Sequence, residues 1–490
     1  KVALEEGKVI EMERFLKMSE GAKGRFIQLD DNKFIALTKS LLKRVQELNV
    51  ISNNGTVHKL GSSIISDFEE NLSEVNTDDL WKENLKRIKA SEVDIKLPKT
   101  LNAELRDYQM EGFKWLSKLS NMGLGGCLAD DMGLGKTVQA LSLLLNESTS
   151  GPCLVIAPAS VCNVWHEECQ KFAPSLKCIS MPDTDREKCI KGIKKKEVLI
   201  ISYGMIYQIE EALIENKWQL IILDEAQAIK NYNTKRFKII SKLQSKKRVA
   251  LSGTPVENHI EELWNLFEFL NPGFLGSRKN FQMKYAKAIE IDKNVIVRNA
   301  LKRLIKPFIL RRLKDKVLTE LPAKTEQTIL VEPSNEEKSF YEALRRKAVE
   351  RINNIGEEDA AKKRFSVLAE LTKLRRACCD SRLVNPAVQL SNSKLEALDG
   401  ILEDVISNNH RALIFSQYVD YLKIVGEHLT KNKIKYQYLD GSTTQKKRKE
   451  RVEAFQKGEG DVFLISLKAG GVGLNLTSAD YVVHLDPWWN

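Results

Sequence analysis

The stretch Asp130-Asp131-Met132-Gly133-Leu134-Gly135-Lys136-Thr137 decides the fold. It follows the apolar run Gly126–Ala129 and leads into a helical pattern that starts near Lys136, so it is a strand–loop–helix junction. A phosphate chain needs that combination. Glycines let the backbone approach and turn its N–H groups inward, and the helix N-terminus adds the positive end of its dipole. Lys136 can reach the β- and γ-phosphates, and the Thr137 hydroxyl can ligate Mg2+. Asp130 stands where the general P-loop pattern has its first glycine, and a chance glycine loop would read alike if nothing else agreed.

The flanking sequence does agree. Short apolar runs recur at Gly126–Ala129, Cys153–Ala157, Val198–Ser202, Leu220–Leu223 and Val249–Leu251, with helical stretches between them. This is the α/β pattern of a parallel sheet covered on both faces. Reactive residues should then collect at the carboxyl ends of the strands. Leu220–Leu223 runs directly into Asp224-Glu225-Ala226-Gln227. Two acids there can divide the labour, Asp224 holding the Mg2+ shell while Glu225 orients and deprotonates the attacking water. Taken alone, the same residues would pass for a solvated acidic strand end. Leu251 similarly leads into Ser252-Gly253-Thr254-Pro255-Val256-Glu257-Asn258, where small hydroxyl and glycine residues can sense the γ-phosphate and shift as it leaves.

A second set of runs, Ala412–Phe415, Tyr436–Leu439, Val462–Ile465 and Tyr481–Leu485, predicts a second α/β lobe. Between the lobes, roughly 260 to 385 is charged and helical. Ser334-Asn335-Glu336-Glu337 has capping-box spacing ahead of Phe340, Leu344, Ala348, Val349 and Ile352. Before Pro98 the texture differs. Arg25–Leu29 and Lys33–Leu37 flank Asp30-Asp31-Asn32 as a hairpin, and Lys39–Leu48 has helical spacing.

At a typical ~150 residues per domain, a chain of 490 residues accommodates about three domains. A hydrophobic share of 42% excludes collagen-like and wholly disordered classes. Lys and Arg outnumber Asp and Glu by 77 to 66, a net +11 that leans toward polyanionic partners. No run approaches the ~18 apolar residues of a membrane span, so the chain reads as soluble, with no membrane partner. The 8 cysteines show neither C-x-x-C nor zinc-finger spacing and read as reduced structural thiols of an intracellular protein. A start at Lys1 and a stop at Asn490, directly after a strand-like run, suggest a piece of a longer protein.

The order of motifs resembles the superfamily-two helicase-like motors. Asp131–Thr137, Leu251–Asn258, Phe308-Ile309-Leu310-Arg311-Arg312-Leu313, Leu439-Asp440-Gly441-Ser442-Thr443 and Asp486-Pro487-Trp488-Trp489-Asn490 narrow the resemblance to the Snf-type chromatin-remodelling and DNA-translocating ATPases, over about 98 to 490. That resemblance implies two RecA-like parallel-sheet lobes joined by helical insertions, preceded by a small α+β accessory segment. The expected domains are an accessory region and connector at 1–97, lobe one at 98–315 with a helical insertion from about 260, a helical linker at 316–385, and lobe two at 386–490. It also implies ATP and Mg2+ as ligands. Leu105-Arg106-Asp107-Tyr108-Gln109 matches the adenine-recognising segment, and the nucleotide-binding set becomes Arg106, Gln109, Asp131 to Val138 (Met132, Gly133, Leu134, Gly135, Lys136, Thr137 among them), Gly471 and Gly473. Lys136, Asp224 and Glu225 are the catalytic candidates, with Thr137 and Asp224 on Mg2+. Gln227 stands where many members carry His and joins Ser252, Gly253 and Thr254 as the coupling set.

Double-stranded DNA, gripped by its backbone without sequence preference, is the implied partner of a monomeric motor. The matching segments place Ser160, Ser202 and Tyr203 of lobe one, and Ser416, Gln417, Gly441, Ser442, Lys446, Arg448, Ser466, Lys468, Gly470 and Asn475 of lobe two, along the DNA strand. Basic clusters at Lys194-Lys195-Lys196, Lys302-Arg303, Arg311-Arg312, Arg375-Arg376 and Lys446-Lys447-Arg448-Lys449 with Arg451 would add phosphate contacts, although a solvated helix face looks the same in sequence. Trp488 and Trp489 read as packing residues rather than base-stacking platforms. Family members carry arginines soon after the double tryptophan, so a chain ending at Asn490 is expected to bind ATP yet hydrolyse it poorly. A strand-separating helicase and a nucleotide-gated DNA-binding scaffold remain as alternatives. A bacterial cytoplasmic, nucleoid-associated setting is expected, or a nuclear one in a eukaryote.

Overall fold

A strand buried on both faces needs apolar side chains at every position, not alternate ones, and Cys153–Ala157 (β6) and Lys217–Leu223 (β9) meet that demand with Cys-Leu-Val-Ile-Ala and Leu-Ile-Ile-Leu. The computed structural model describes residues 95–254, 259–318, 325–354, 360–470, 474 and 476–487, together with 2–3, 9–10, 15, 18–19, 26–30, 33–38, 42, 45–48 and 50. They form two units, Lys1–Pro322 and Ala323–Asn490.

In the first unit, Val2–Ala3 (β1) pairs antiparallel with Val9–Ile10 (β2), and Phe26–Asp30 (β3) pairs antiparallel with Lys33–Ala36 (β4), the expected hairpin. The main sheet adds Gly126–Leu128 (β5), Lys177–Ser180 (β7), Glu197–Ser202 (β8), Gln244–Leu251 (β10) and Ile309–Leu310 (β11). Its order is β11-β5-β10-β9-β6-β8-β7, and every pairing is parallel. The P-loop strand β5, the sensor strand β10 and the acidic strand β9 are thus consecutive neighbours, and their carboxyl ends share one edge. Helices Asp107–Asn121 (α1), Lys136–Glu147 (α2), Ala159–Phe172 (α3), Lys235–Lys242 (α4), Glu261–Leu270 (α5) and Val295–Ile305 (α6) are the longer ones of this unit. Burial of Ala140, Leu141, Leu143 and Leu144 fixes α2 against the sheet. At its far end the buried Glu147 accepts from Ser120 Oγ at 2.8 Å, Gln219 Nε2 at 2.9 Å and Lys247 Nζ at 2.6 Å, so the charge is fully partnered. β7 and β11 escaped the reading of apolar runs: one is Lys-Cys-Ile-Ser at a sheet edge, the other only two residues.

The second unit opens with Asn335–Asn353 (α7) and Ala360–Ala377 (α8). The capping box ahead of α7 is formed as its spacing predicts: Ser334 Oγ accepts from Glu337 N at 3.2 Å, and Glu337 Oε2 accepts from Ser334 N at 2.7 Å. Ser393–Ser407 (α9), Ala412–Ser416 (β12), Val419–Lys431 (α10), Tyr436–Leu439 (β13), Gln445–Gln456 (α11), Val462–Ser466 (β14) and Tyr481–His484 (β15) follow. The strands run parallel in the order β13-β14-β12-β15. One face buries Leu398, Leu402, Ile414 and Leu422, the other Leu439, Phe455, Phe463 and Ile465. Two RecA-like parallel-sheet lobes are therefore present, as expected.

The thiol reading needs one correction. Cys169, near the end of α3, is joined to Cys178 on β7 as a disulfide, because the fold brings the helix end beside that edge strand. The other six cysteines are free. Among the described residues, no helix is long and apolar enough to cross a membrane.

Candidate active site

Gly133 and Gly135 adopt φ of 84° and 73°, a left-handed backbone that residues with a Cβ rarely take. At Gly135 the space is also closed, since an added Cβ would lie 2.5 Å from Gln109 Nε2. These turns carry the loop from β5 into α2, whose first N–H groups have no partner within the helix. Lys136 Nζ donates to the Asp130 and Asp131 carbonyls at 2.7 and 3.2 Å, which holds its ammonium inside the loop. Leu134 is fully buried beneath the loop, whereas Met132 is exposed. Gln109, on the first turn of α1, donates from Nε2 to Leu134 O at 3.3 Å and accepts at Oε1 from Arg106 N at 3.0 Å. The adenine-segment residues thus abut the loop, and Arg106 faces solvent. Val138 is half-buried on the first turn of α2.

Asp130, at the position of the missing glycine, has a structural role. It is fully buried, and Arg312, just after β11, donates Nε to Oδ1 at 2.9 Å and Nη2 to Oδ2 at 2.5 Å. Arg312 also donates to Gln139 Oε1 at 3.0 Å and to Tyr108 O, tying α1, the loop and α2 together. Asp131 accepts at Oδ2 from Lys314 N at 3.0 Å. The sequence counted Arg312 among surface cations; its charge is spent on Asp130 instead.

The acidic strand end lies on the same edge. Asp224 accepts at Oδ2 from Trp165 Nε1 at 2.8 Å and at Oδ1 from Glu225 N at 2.9 Å. Burial pushes its carboxyl up to about 6, against the lowering pull of the Trp165 indole. Glu225 takes a left-handed φ of 49°, unusual for a residue with a side chain. Its Oε2 accepts from Gln227 Nε2 at 2.8 Å, Gln227 Oε1 accepts from Ser252 Oγ at 3.0 Å, and Ser252 Oγ accepts from Thr254 N at 3.0 Å. The acid box and the Ser252–Thr254 turn are one hydrogen-bonded chain. A Cβ on Gly253 would meet Met132 Cγ at 3.6 Å, so that turn also touches the P-loop. Residues 255–258, the rest of that motif, lie outside the described residues.

Oxygen donors from Thr137 and Asp224, with Lys136 and a glycine loop beside them, suit a magnesium–triphosphate pair: Mg2+ prefers few carboxylates and hard oxygen ligands. The residues fit that group. Two groups that sequence reasoning missed also meet here, Trp165 and Glu168 of α3. Glu168 stands beside the Thr137 hydroxyl, and burial raises its carboxyl. A tryptophan in an amphipathic helix carries no sign of this in sequence, since core packing looks the same.

Candidate DNA-facing residues fall into two groups. Gly441, Ser442, Lys446 and Lys468 are exposed, Ser160, Ser202, Gln417 and Gly470 half-buried. Tyr203 is only 4% exposed and donates its hydroxyl to Asp224 O at 2.9 Å, so it supports the acid box and does not face a strand. Ser416 and Ser466 are also buried, the former accepting at Oγ from Tyr418 N at 3.0 Å. Arg448 donates Nη2 to Ala469 O at 2.7 Å. Arg303 pairs with Glu47 and Arg376 with Asp420, whereas Lys194–Lys196 and Lys446-Lys447 at the start of α11 face solvent. Gly471, Gly473, Asn475, Trp488 and Trp489 lie outside the described residues.

A P-loop, an acid pair and a hydroxyl turn on adjoining strands of a parallel sheet, followed by a second parallel-sheet lobe, define a helicase-like P-loop ATPase. Residues 108–383 match the SNF2-related domain and residues 393–490 the helicase conserved C-terminal domain. The chain belongs to the SNF2 family. It is 37% identical over 415 residues to YwqA of Bacillus subtilis, which carries the name of an ATP-dependent helicase/translocase, covering 81% of this chain and 44% of that protein. With the ISWI chromatin-remodeling complex ATPase CHR11 of Arabidopsis thaliana it shares 34% identity over 418 residues, 80% of this chain and 39% of the relative. The chain thus spans less than half the length of these relatives. A solved Sulfolobus solfataricus SWI2/SNF2 ATPase core in complex with dsDNA is 35% identical and covers 81% of this chain and 85% of its own, with a TM-score of 0.45. Family membership stands on the sequence matches.

Proposed function

We propose that this chain is the motor of a DNA-stimulated ATPase that translocates on double-stranded DNA and remodels protein–DNA complexes. The hydrogen-bonded chain from Glu225 through Gln227 to Ser252 carries the reading, because it joins the residue that would activate water to the turn that would respond to phosphate loss. Lys136 would exchange its two loop carbonyls for the β- and γ-phosphates of ATP. Glu225 would orient the attacking water and take its proton at a carboxylate oxygen, giving ADP and phosphate. Bound Mg2+ supplies charge neutralisation at the phosphate oxygens, and Thr137 and Asp224 would hold it. Exposed Gly441, Ser442, Lys446 and Lys468 would meet DNA phosphates, which position a protein without reading bases. The names of the bacterial and plant relatives support translocation and remodelling as the use of that energy. Bacterial relatives favour a nucleoid setting.

Triplex displacement measured beside duplex unwinding tests the claim. ATP-dependent release of a third strand without separation of the duplex is the expected result. Unwinding with no triplex release would favour a strand-separating helicase, and an ATPase rate unchanged by duplex DNA would leave a nucleotide-gated scaffold.

A further inference from the structure

The metal end of the site is also held from α3, by residues that no motif reading includes. Trp165 and Glu168 are three residues apart on α3 and therefore share a face. Trp165 is 1% exposed, and its indole N–H reaches Asp224 Oδ2 at 2.8 Å. Glu225 N occupies the other carboxylate oxygen at 2.9 Å, so both oxygens of Asp224 have a fixed donor and the carboxylate cannot rotate freely. One turn further along α3, the half-buried Glu168 stands beside the Thr137 hydroxyl. Both groups nominated for Mg2+ thus have a neighbour on one rigid element, and for Asp224 that neighbour is a hydrogen-bond donor.

We infer that α3 is the positioning element of the Mg2+ site, with Trp165 orienting Asp224 and Glu168 orienting Thr137. Neither residue is a ligand or a catalytic residue; each acts through its neighbour, as outer-shell partners of metal ligands do. The inference rests on the ATP-site reading given above. It predicts a loss of Mg2+ affinity at constant affinity for the nucleotide alone, which a merely packed helix would not produce.

Calorimetric binding of a non-hydrolysable ATP analogue to the full chain, in EDTA and across a series of free Mg2+ concentrations, tests it. Glu168→Ala should raise the Mg2+ midpoint about 10-fold, leave binding in EDTA unchanged, and be largely rescued by Glu168→Gln, which keeps an oxygen acceptor for Thr137. Trp165→Phe should raise the midpoint similarly, and Glu168→Ala decides the matter if the tryptophan variant fails to fold. An unchanged midpoint in a folded Glu168→Ala variant, or an equal loss of binding in EDTA, would overturn the assignment. Lys136→Ala separates the two levels: it should weaken analogue binding with and without Mg2+, and if it does not, the ATP-site reading fails rather than the role of α3.

Discussion

Glu225 sits at φ 49° with its carboxylate held by Gln227, a backbone conformation that a side chain occupies only when its surroundings enforce it. Glu225→Gln should lower ATP turnover by ~10²–10⁴-fold, the usual contribution of a positioned base, and leave nucleotide affinity nearly intact. Steady-state hydrolysis beside calorimetry checks this, and retained turnover would remove Glu225 from its role. Asp130 poses a different question at the same scale. It is fully buried against Arg312, whose removal would strand a carboxylate in the interior. Arg312→Ala should therefore cost the first unit about 3 kcal/mol or more of stability, read as a lowered urea midpoint of that unit. A stability within ~0.5 kcal/mol of the parent would mean that Asp130 finds other partners.

At the scale of elements, the order of β5, β10 and β9 brings three strand ends to one edge, and hydrogen bonds convert adjacency into coupling. Gln227 is the link, since it touches both Glu225 and Ser252. A hydrogen bond to a charged group contributes about 1.5–3 kcal/mol, so Gln227→Ala should reduce the DNA-stimulated rate about 10- to 100-fold while ATP still binds. Rates measured with and without duplex DNA decide it; an unaltered stimulation ratio would show that the signal bypasses this chain. The strands around these ends were legible as apolar runs. β7 and β11 were not, because a polar edge strand and a two-residue strand leave no periodic trace. β11 nevertheless matters, for it leads straight into Arg312.

For the whole molecule, the excess of +11 splits into two kinds of cation: Arg303, Arg312 and Arg376 pair with acids of the same chain, whereas Lys194–Lys196 and Lys446 at the start of α11 face solvent. Duplex affinity should fall steeply with salt, and Lys446→Ala should lower the slope of log affinity against log salt by about 0.9, one phosphate contact, with little change between DNA sequences. An unchanged slope would remove Lys446 from the footprint. Sequence by itself determined the two parallel-sheet lobes, the phosphate loop, the acid pair and the family, because each is written in local order: an apolar run, a turn, and then the reactive residues. Only the tertiary structure decided what each charge and hydroxyl faces. Tyr203 turned inward to Asp224, Arg312 to Asp130 and Trp165 to Asp224, since a buried polar group must find a partner and that partner lies far away in the chain.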